Sequence, residues 1–215
     1  MSEPITVDER YASAIHTSNL RCEADRTSQA DVLIAVGWSP SRLGAALMRL
    51  HSEYDGVAKP RPVCHEGLVR MAIKHKIALR GKGTQKDFET LAQLEAARWL
   101  QNEKALFLGK LKALPAVIEQ ITIQSVKWGT ANPIGFARVS VGHWLNQVCD
   151  KCHGVKFELI PNTPSTSAKT CKACNGMGLS VTPYGSDGRR MLNFMDDCVS
   201  RARQSIKQRL KANHE

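Results

Sequence analysis

Two cysteine pairs in the last third of this chain, Cys149-Asp-Lys-Cys152 and Cys171-Lys-Ala-Cys174, constrain its folding more than any other feature. Eighteen residues separate them. Each C-x-x-C turn aims two thiolates at one point, and two such turns complete a tetrahedral four-sulfur shell of the kind that binds zinc. Four soft ligands leave no open position for a catalytic water. The sequence therefore predicts one structural zinc ion held by Cys149, Cys152, Cys171 and Cys174. Function should lie in what that ion holds in place.

The second pair opens a full C-x-x-C-x-G-x-G run, Cys171 to Gly178. Glycine after the second cysteine permits the left-handed backbone that turns amides toward the sulfurs. The first pair keeps Gly154 but carries Lys156 at the last glycine position. Val155–Ile160 alternates like a strand and could pair with Leu179–Thr182, giving a small zinc-clamped β-hairpin. Pro161–Ala168 reads as a linker. His153 sits beside a filled shell and is expected to face solvent or support it from outside. Cys22, Cys64 and Cys198 are expected to be small buried apolar residues rather than nucleophiles.

A basic helix is predicted from about Arg189 to Lys211. Met191, Met195, Cys198, Val199, Ala202, Ile206 and Leu210 form one stripe at helical spacing. Arg189, Arg190, Arg201, Arg203, Lys207 and Lys211 fall on the other faces. Lys151, Lys156, Lys169 and Lys172 add positive charge from the zinc module. The formal net charge is +10, and residues 101–215 carry +8 of it. A solvated amphipathic helix would look the same. The adjoining zinc module favours a surface that contacts nucleic-acid phosphates, with Arg189, Arg190, Arg201, Arg203, Lys207, Lys151, Lys156 and Lys172 as the DNA-binding set.

At 215 residues the chain can bury an ordinary core. Residues 1–29 are polar and are expected to be a flexible N-terminal arm. Residues 30–130 read as a helical domain and 131–215 as a DNA-binding region with the zinc module at 149–178. Ala30–Val36 reads as a short helix broken by Gly37. Ser39-Pro40 then reads as a cap and first residue of a second helix. This pair is compatible with a helix-turn-helix and with plain core packing. From Asp87 to Leu114 runs the longest periodic segment. Leu91, Leu94, Ala97, Leu100, Leu106, Leu108 and Leu111 mark its expected buried side, with Trp99 alongside. Pro115 is expected to end or kink it, and a break near Gln101-Asn102 is conceivable. Ala116–Val126 could be helix or strand, and Ala131–Cys149 returns to helix. The fold class is mainly α with an inserted β-hairpin. No signal peptide or membrane span is visible, so a cytoplasmic protein is expected.

These residues resemble the Q antiterminators of lambdoid phages, the lambda-type Q family. One likeness is Ala30-Asp-Val-Leu-Ile-Ala-Val-Gly-Trp-Ser-Pro-Ser-Arg-Leu-Gly44. The other runs from Phe136-Ala-Arg through Cys149-Asp-Lys-Cys-His-Gly154 to Cys171–Gly178. Together they cover roughly a third of the chain. The resemblance implies a protein that binds double-stranded DNA inside a late promoter. It implies a bacterial host and loading onto bacterial RNA polymerase, with its sigma factor, at a promoter-proximal pause, often with NusA present. The polymerase then reads through pauses and terminators. The resemblance also implies a zinc loop inserted between two helices of a helix-turn-helix-like reader. Ile134–Val148 would be the first helix, and a second would start near Ser186. Arg189 and Arg190 would sit at its base-reading end.

Two other readings stand beside this one. A zinc-dependent protein-interaction module like the cysteine-rich region of DnaJ-type chaperones would show weak salt dependence, although that region usually carries four such turns. A DNA-binding repressor would share the DNA contacts without polymerase contacts. No H-E-x-x-H, phosphate-cradling glycine loop or paired catalytic carboxylates occur, and a non-enzyme is expected.

Overall fold

The computed structural model describes residues 5–17, 28–160 and 165–212. It is mainly helical, with eight helices and one two-stranded sheet among those residues. Three helices start on the same device. In α1 (Val7–His16), α2 (Gln29–Gly37) and α5 (Gln85–Lys110), a threonine or serine accepts from the third helical amide. The acidic residue there, Glu9, Asp31 or Asp87, reaches back to the cap.

Residues 7–16, expected within a flexible arm, are therefore helical. Tyr11 and Ala14 are buried, one helical turn apart, against the body of the protein. Ten residues with so few apolar positions carry little periodic signal. The helix gains its stability from packing rather than propensity. Cys22 lies outside the described residues.

After α2, helix α3 (Arg42–Gly56) starts at Ser41 rather than at Ser39. Ser39 is buried in the turn, and the Ser41 hydroxyl donates to the Cys198 carbonyl at 2.9 Å. Leu47 and Leu50 are wholly buried. The helix pair thus serves the core, and Gly44 presses so closely on the last helix that a β-carbon there would lie 2.0 Å from the Cys198 oxygen.

Helices α4 (His65–Ala78) and α5 fold back on each other around Ala72, Phe88 and Ala92. Here the expected burial fails. Leu94 is 56% exposed and Leu106 62%; Leu91, Trp99 and Leu108 are exposed as well. Ala97 is also exposed, Leu100 is half-buried and Leu111 is buried. The reason is geometric. Phe88, Ala92, Trp99 and Leu106 share one face at helical spacing. But α5 is about 39 Å long and α4 about 21 Å, so α4 ends before Trp99 and Leu106. α5 is unbroken at Gln101-Asn102 and ends at Lys110. Pro115 opens the next helix, α6 (Leu114–Lys127), instead of kinking the previous one. Glu53 of α3 accepts from the Ala113 amide at 2.9 Å, tying this joint to the body. Cys64, expected to be buried, is exposed just ahead of α4.

Residues 116–126 are helical, with Val117, Ile121 and Ser125 buried at four-residue spacing. Helix α7 (Pro133–Leu145) follows, capped by Asn132. The chain then enters the cysteine module and leaves it into α8 (Gly185–Ala212). All seven residues of the predicted α8 stripe are buried. One core joins Leu47, Val117 and Ile121 to Phe136, Met191 and Ile206, so it crosses the expected boundary at 130/131. Among the described residues no helix is long and apolar enough to cross a membrane.

Candidate metal centre and basic helix face

The four cysteines form their own buried cluster between α7 and α8. Their sulfurs all lie within 4.8 Å of one another. The Cys149–Cys171 separation is 4.0 Å and the Cys152–Cys174 separation 3.7 Å. A regular tetrahedron with metal–sulfur bonds of about 2.3 Å has edges of about 3.8 Å. The residues thus fit a four-thiolate shell and could hold a metal ion.

The backbone around the sulfurs repeats. His153, Gly154 and Lys156 have φ of 48, 85 and 73°; Asn175, Gly176 and Gly178 have 48, 76 and 79°. Two short segments of different sequence adopt one turn because both must present a pair of sulfurs and aim amides at them. The Gly178 amide donates to Cys174 Sγ at 3.2 Å. His153 is exposed, and its amide donates to the Cys149 carbonyl at 2.8 Å. Burial pushes the Cys152 thiol up to about 11, with the Lys156 and Gly154 amides opposing and the neighbouring thiols adding to the rise. Burial also raises Cys174, but hydrogen bonds from the Gly178 amide and then from Cys152, Cys171 and Cys149 outweigh it and bring that thiol down to about 7. One sulfur of the set is thus favoured as thiolate, and metal binding would release the protons that remain.

Lys156 holds a left-handed conformation that costs a non-glycine residue roughly 1–2 kcal/mol. Replacing Lys156 with glycine should therefore strengthen the module by about 1 kcal/mol. Competition with a chromophoric chelator should show metal retained at about fivefold higher chelator concentration. Equal or easier metal loss would show that the lysine stem stabilises the turn instead.

The hairpin differs from expectation. β1 (Phe157–Leu159) pairs antiparallel with β2 (Thr166–Thr170), not with residues 179–182. Leu179 instead bridges Val148, and the Ser180 amide donates to the Gln147 carbonyl at 2.8 Å. The sheet thus lies between the two knuckles, while residues 148 and 179 close the neck. Part of the expected linker is strand, and residues 161–164 lie outside the described residues.

The basic residues differ in what they touch. Arg189 and Arg190 are exposed in the first turns of α8. Lys207 lies on the same face as Arg189, about 27 Å further along the helix. Arg201 bends back to the Asp197 carbonyl and Cys198 Sγ. Arg203 pairs with Asp8 of α1, which makes it a tether for that helix. Lys151, Lys156 and Lys172 are exposed on the cysteine module. Sequence reasoning missed Trp128, at the end of α6. The Arg190 guanidinium lies 4.1 Å from the centre of its ring, and Phe194 packs edge-on against it at 5.6 Å. Nothing in the sequence links position 128 to position 190.

Comparison with protein-family models, curated proteins and solved structures gives no match to this chain.

Proposed function

We propose that this protein is a DNA-binding transcription antitermination factor whose cysteine module holds one structural zinc ion. The observation that carries this reading is the seating of the four-sulfur module between α7 and α8, directly ahead of the turns that bear Arg189 and Arg190. Thiolate ligands at tetrahedral spacing suit zinc. In this reading α7 and α8 are the two helices of a helix-turn-helix-like reader, and the metal lobe is inserted in the chain between them. Exposed Lys151, Lys156 and Lys172 meet phosphates, while Arg189 and Arg190 reach bases. The likeness of residues 30–44 and 136–178 to lambda-type Q proteins adds RNA polymerase, sigma factor and NusA as partners, and adds no catalytic step.

The test is in vitro transcription by bacterial RNA polymerase from a cognate late promoter through a strong downstream terminator. Read-through that depends on promoter-linked DNA separates antitermination from repression, which only blocks initiation, and from chaperoning, which ignores the template. Duplex binding itself should fall by ~10³–10⁵ between 50 and 200 mM salt if six to ten phosphates are contacted. Changing Arg189 and Arg190 together to alanine should abolish preference for the promoter over random duplex while metal content stays unchanged. Preserved preference would rule out this end of α8 as the reader.

A further inference from the structure

The outer face of α8 is not uniformly basic. Ser186, Arg189, Arg190, Asn193 and Asp197 border one shallow depression together with Trp128 and Phe194. Arg190, Asn193 and Asp197 are separated by three and four residues, so they stand in a row opposite the buried stripe. All three are exposed. A row that only tracked phosphates would have no place for the carboxylate of Asp197, which phosphate repels. Base edges in a major groove do have a place for it. Guanine offers two acceptors to arginine, adenine an acceptor and a donor to asparagine, and cytosine an amino group to a carboxylate. From Arg190 to Asp197 the helix rises about 10 Å, close to three base-pair steps of 3.4 Å.

Resting on the DNA-binding reading above, we propose that Arg190, Asn193 and Asp197 form an ordered base-reading row for guanine, adenine and cytosine, and that Trp128 is the positioning residue for Arg190. Stacking on the indole fixes the plane of the guanidinium and leaves its edges to point outward. Phe194, edge-on to the same indole, holds the ring in turn. The planar fork then meets guanine without first losing the freedom of a long side chain.

The experiment selects duplexes from a library with a randomised core, using the whole protein and its variants. The wild type should select a motif that contains guanine, adenine and cytosine in that order. Asn193→Ala should lose adenine preference at one position by about 5- to 150-fold, the range of one bidentate contact. Asp197→Ala should lose cytosine preference at a neighbouring position. Trp128→Leu should blur the guanine position and leave the adenine position intact, a pattern that general loss of structure would not give. Should Trp128→Leu fail to fold, Trp128→Phe makes the same test, since it keeps an aromatic ring in place and weakens the face on which the guanidinium lies, while Arg190→Lys tests the guanine contact itself. A wild-type motif that survives in Asn193→Ala and Arg190→Lys overturns this row alone. A wild type that selects no motif overturns the row and site-specific DNA binding together.

Discussion

Cys152→Ser, or dialysis against a strong chelator, should release the proposed ion and unfold β1, β2 and both knuckles while the helical body persists. Metal bound to such a four-thiolate site contributes roughly 10–16 kcal/mol of apparent free energy at neutral pH. The module has little to replace it. Its sheet has two short strands, and its buried cluster consists of the four cysteines themselves. The body, in contrast, is held by the core that runs from Tyr11 to Leu210. Far-ultraviolet circular dichroism should therefore change little. Amide hydrogen exchange in β1, β2 and both knuckles should rise to the rate of an open chain, and metal content should fall from about one ion per chain to none. In the proposed role, promoter affinity should fall with it, because Lys151, Lys156 and Lys172 on the unfolded module no longer meet phosphates in fixed positions. Retained protection in the metal-free protein would show that the hairpin folds by itself.

The second large effect is expected at Gly44. Alanine there would place a methyl group 2.0 Å from the Cys198 carbonyl oxygen and 2.6 Å from its carbon. Both atoms belong to the backbone of α8 and cannot rotate away. The two helices must separate, which also strains the Ser41–Cys198 hydrogen bond. We expect a loss of about 3 kcal/mol, the upper end of overpacking costs. For a chain of this size that lowers Tm by roughly 6–12 °C. Gly142→Ala supplies the contrast. It is exposed on α7, and nothing lies within 4 Å of the added carbon. There alanine should raise stability by about 0.5–1 kcal/mol, since it removes backbone freedom from the unfolded chain. Thermal unfolding of the two variants beside the wild type checks both. Equal Tm values would mean that α3 and α8 are further apart than described.

The parts of this structure that were legible in the sequence are those whose chemistry or periodicity is local. The cysteine pairs announce a shared centre through spacing alone, and the four sulfurs do converge. The α8 stripe repeats over seven residues on a helix long enough to display it. What failed depended on partners distant in the chain. Periodicity finds the apolar residues of α5 but not which of them meet another helix, and α4 stops short of Trp99 and Leu106. β2 shows no apolar alternation, since four of its five residues are exposed. Its place comes from backbone pairing beside the knuckle, where the Cys171 amide donates to the Lys156 carbonyl. The identity of Arg203 as a tether needed Asp8, 195 residues away. Trp128 beneath Arg190 was hidden for the same reason.

Helix α8 is one unbroken rod whose two sides answer to different demands. Its inner stripe is committed to the core, whereas substitutions at Asn193 and Asp197 on its outer face should each change stability by no more than about 0.5 kcal/mol. If the proposed base-reading row is right, a lineage could exchange Asn193 or Asp197 for other side chains, and so retarget the protein to a new operator, without disturbing the scaffold that displays them. Innovation in what is recognised and persistence of the architecture are, along this rod, separable traits.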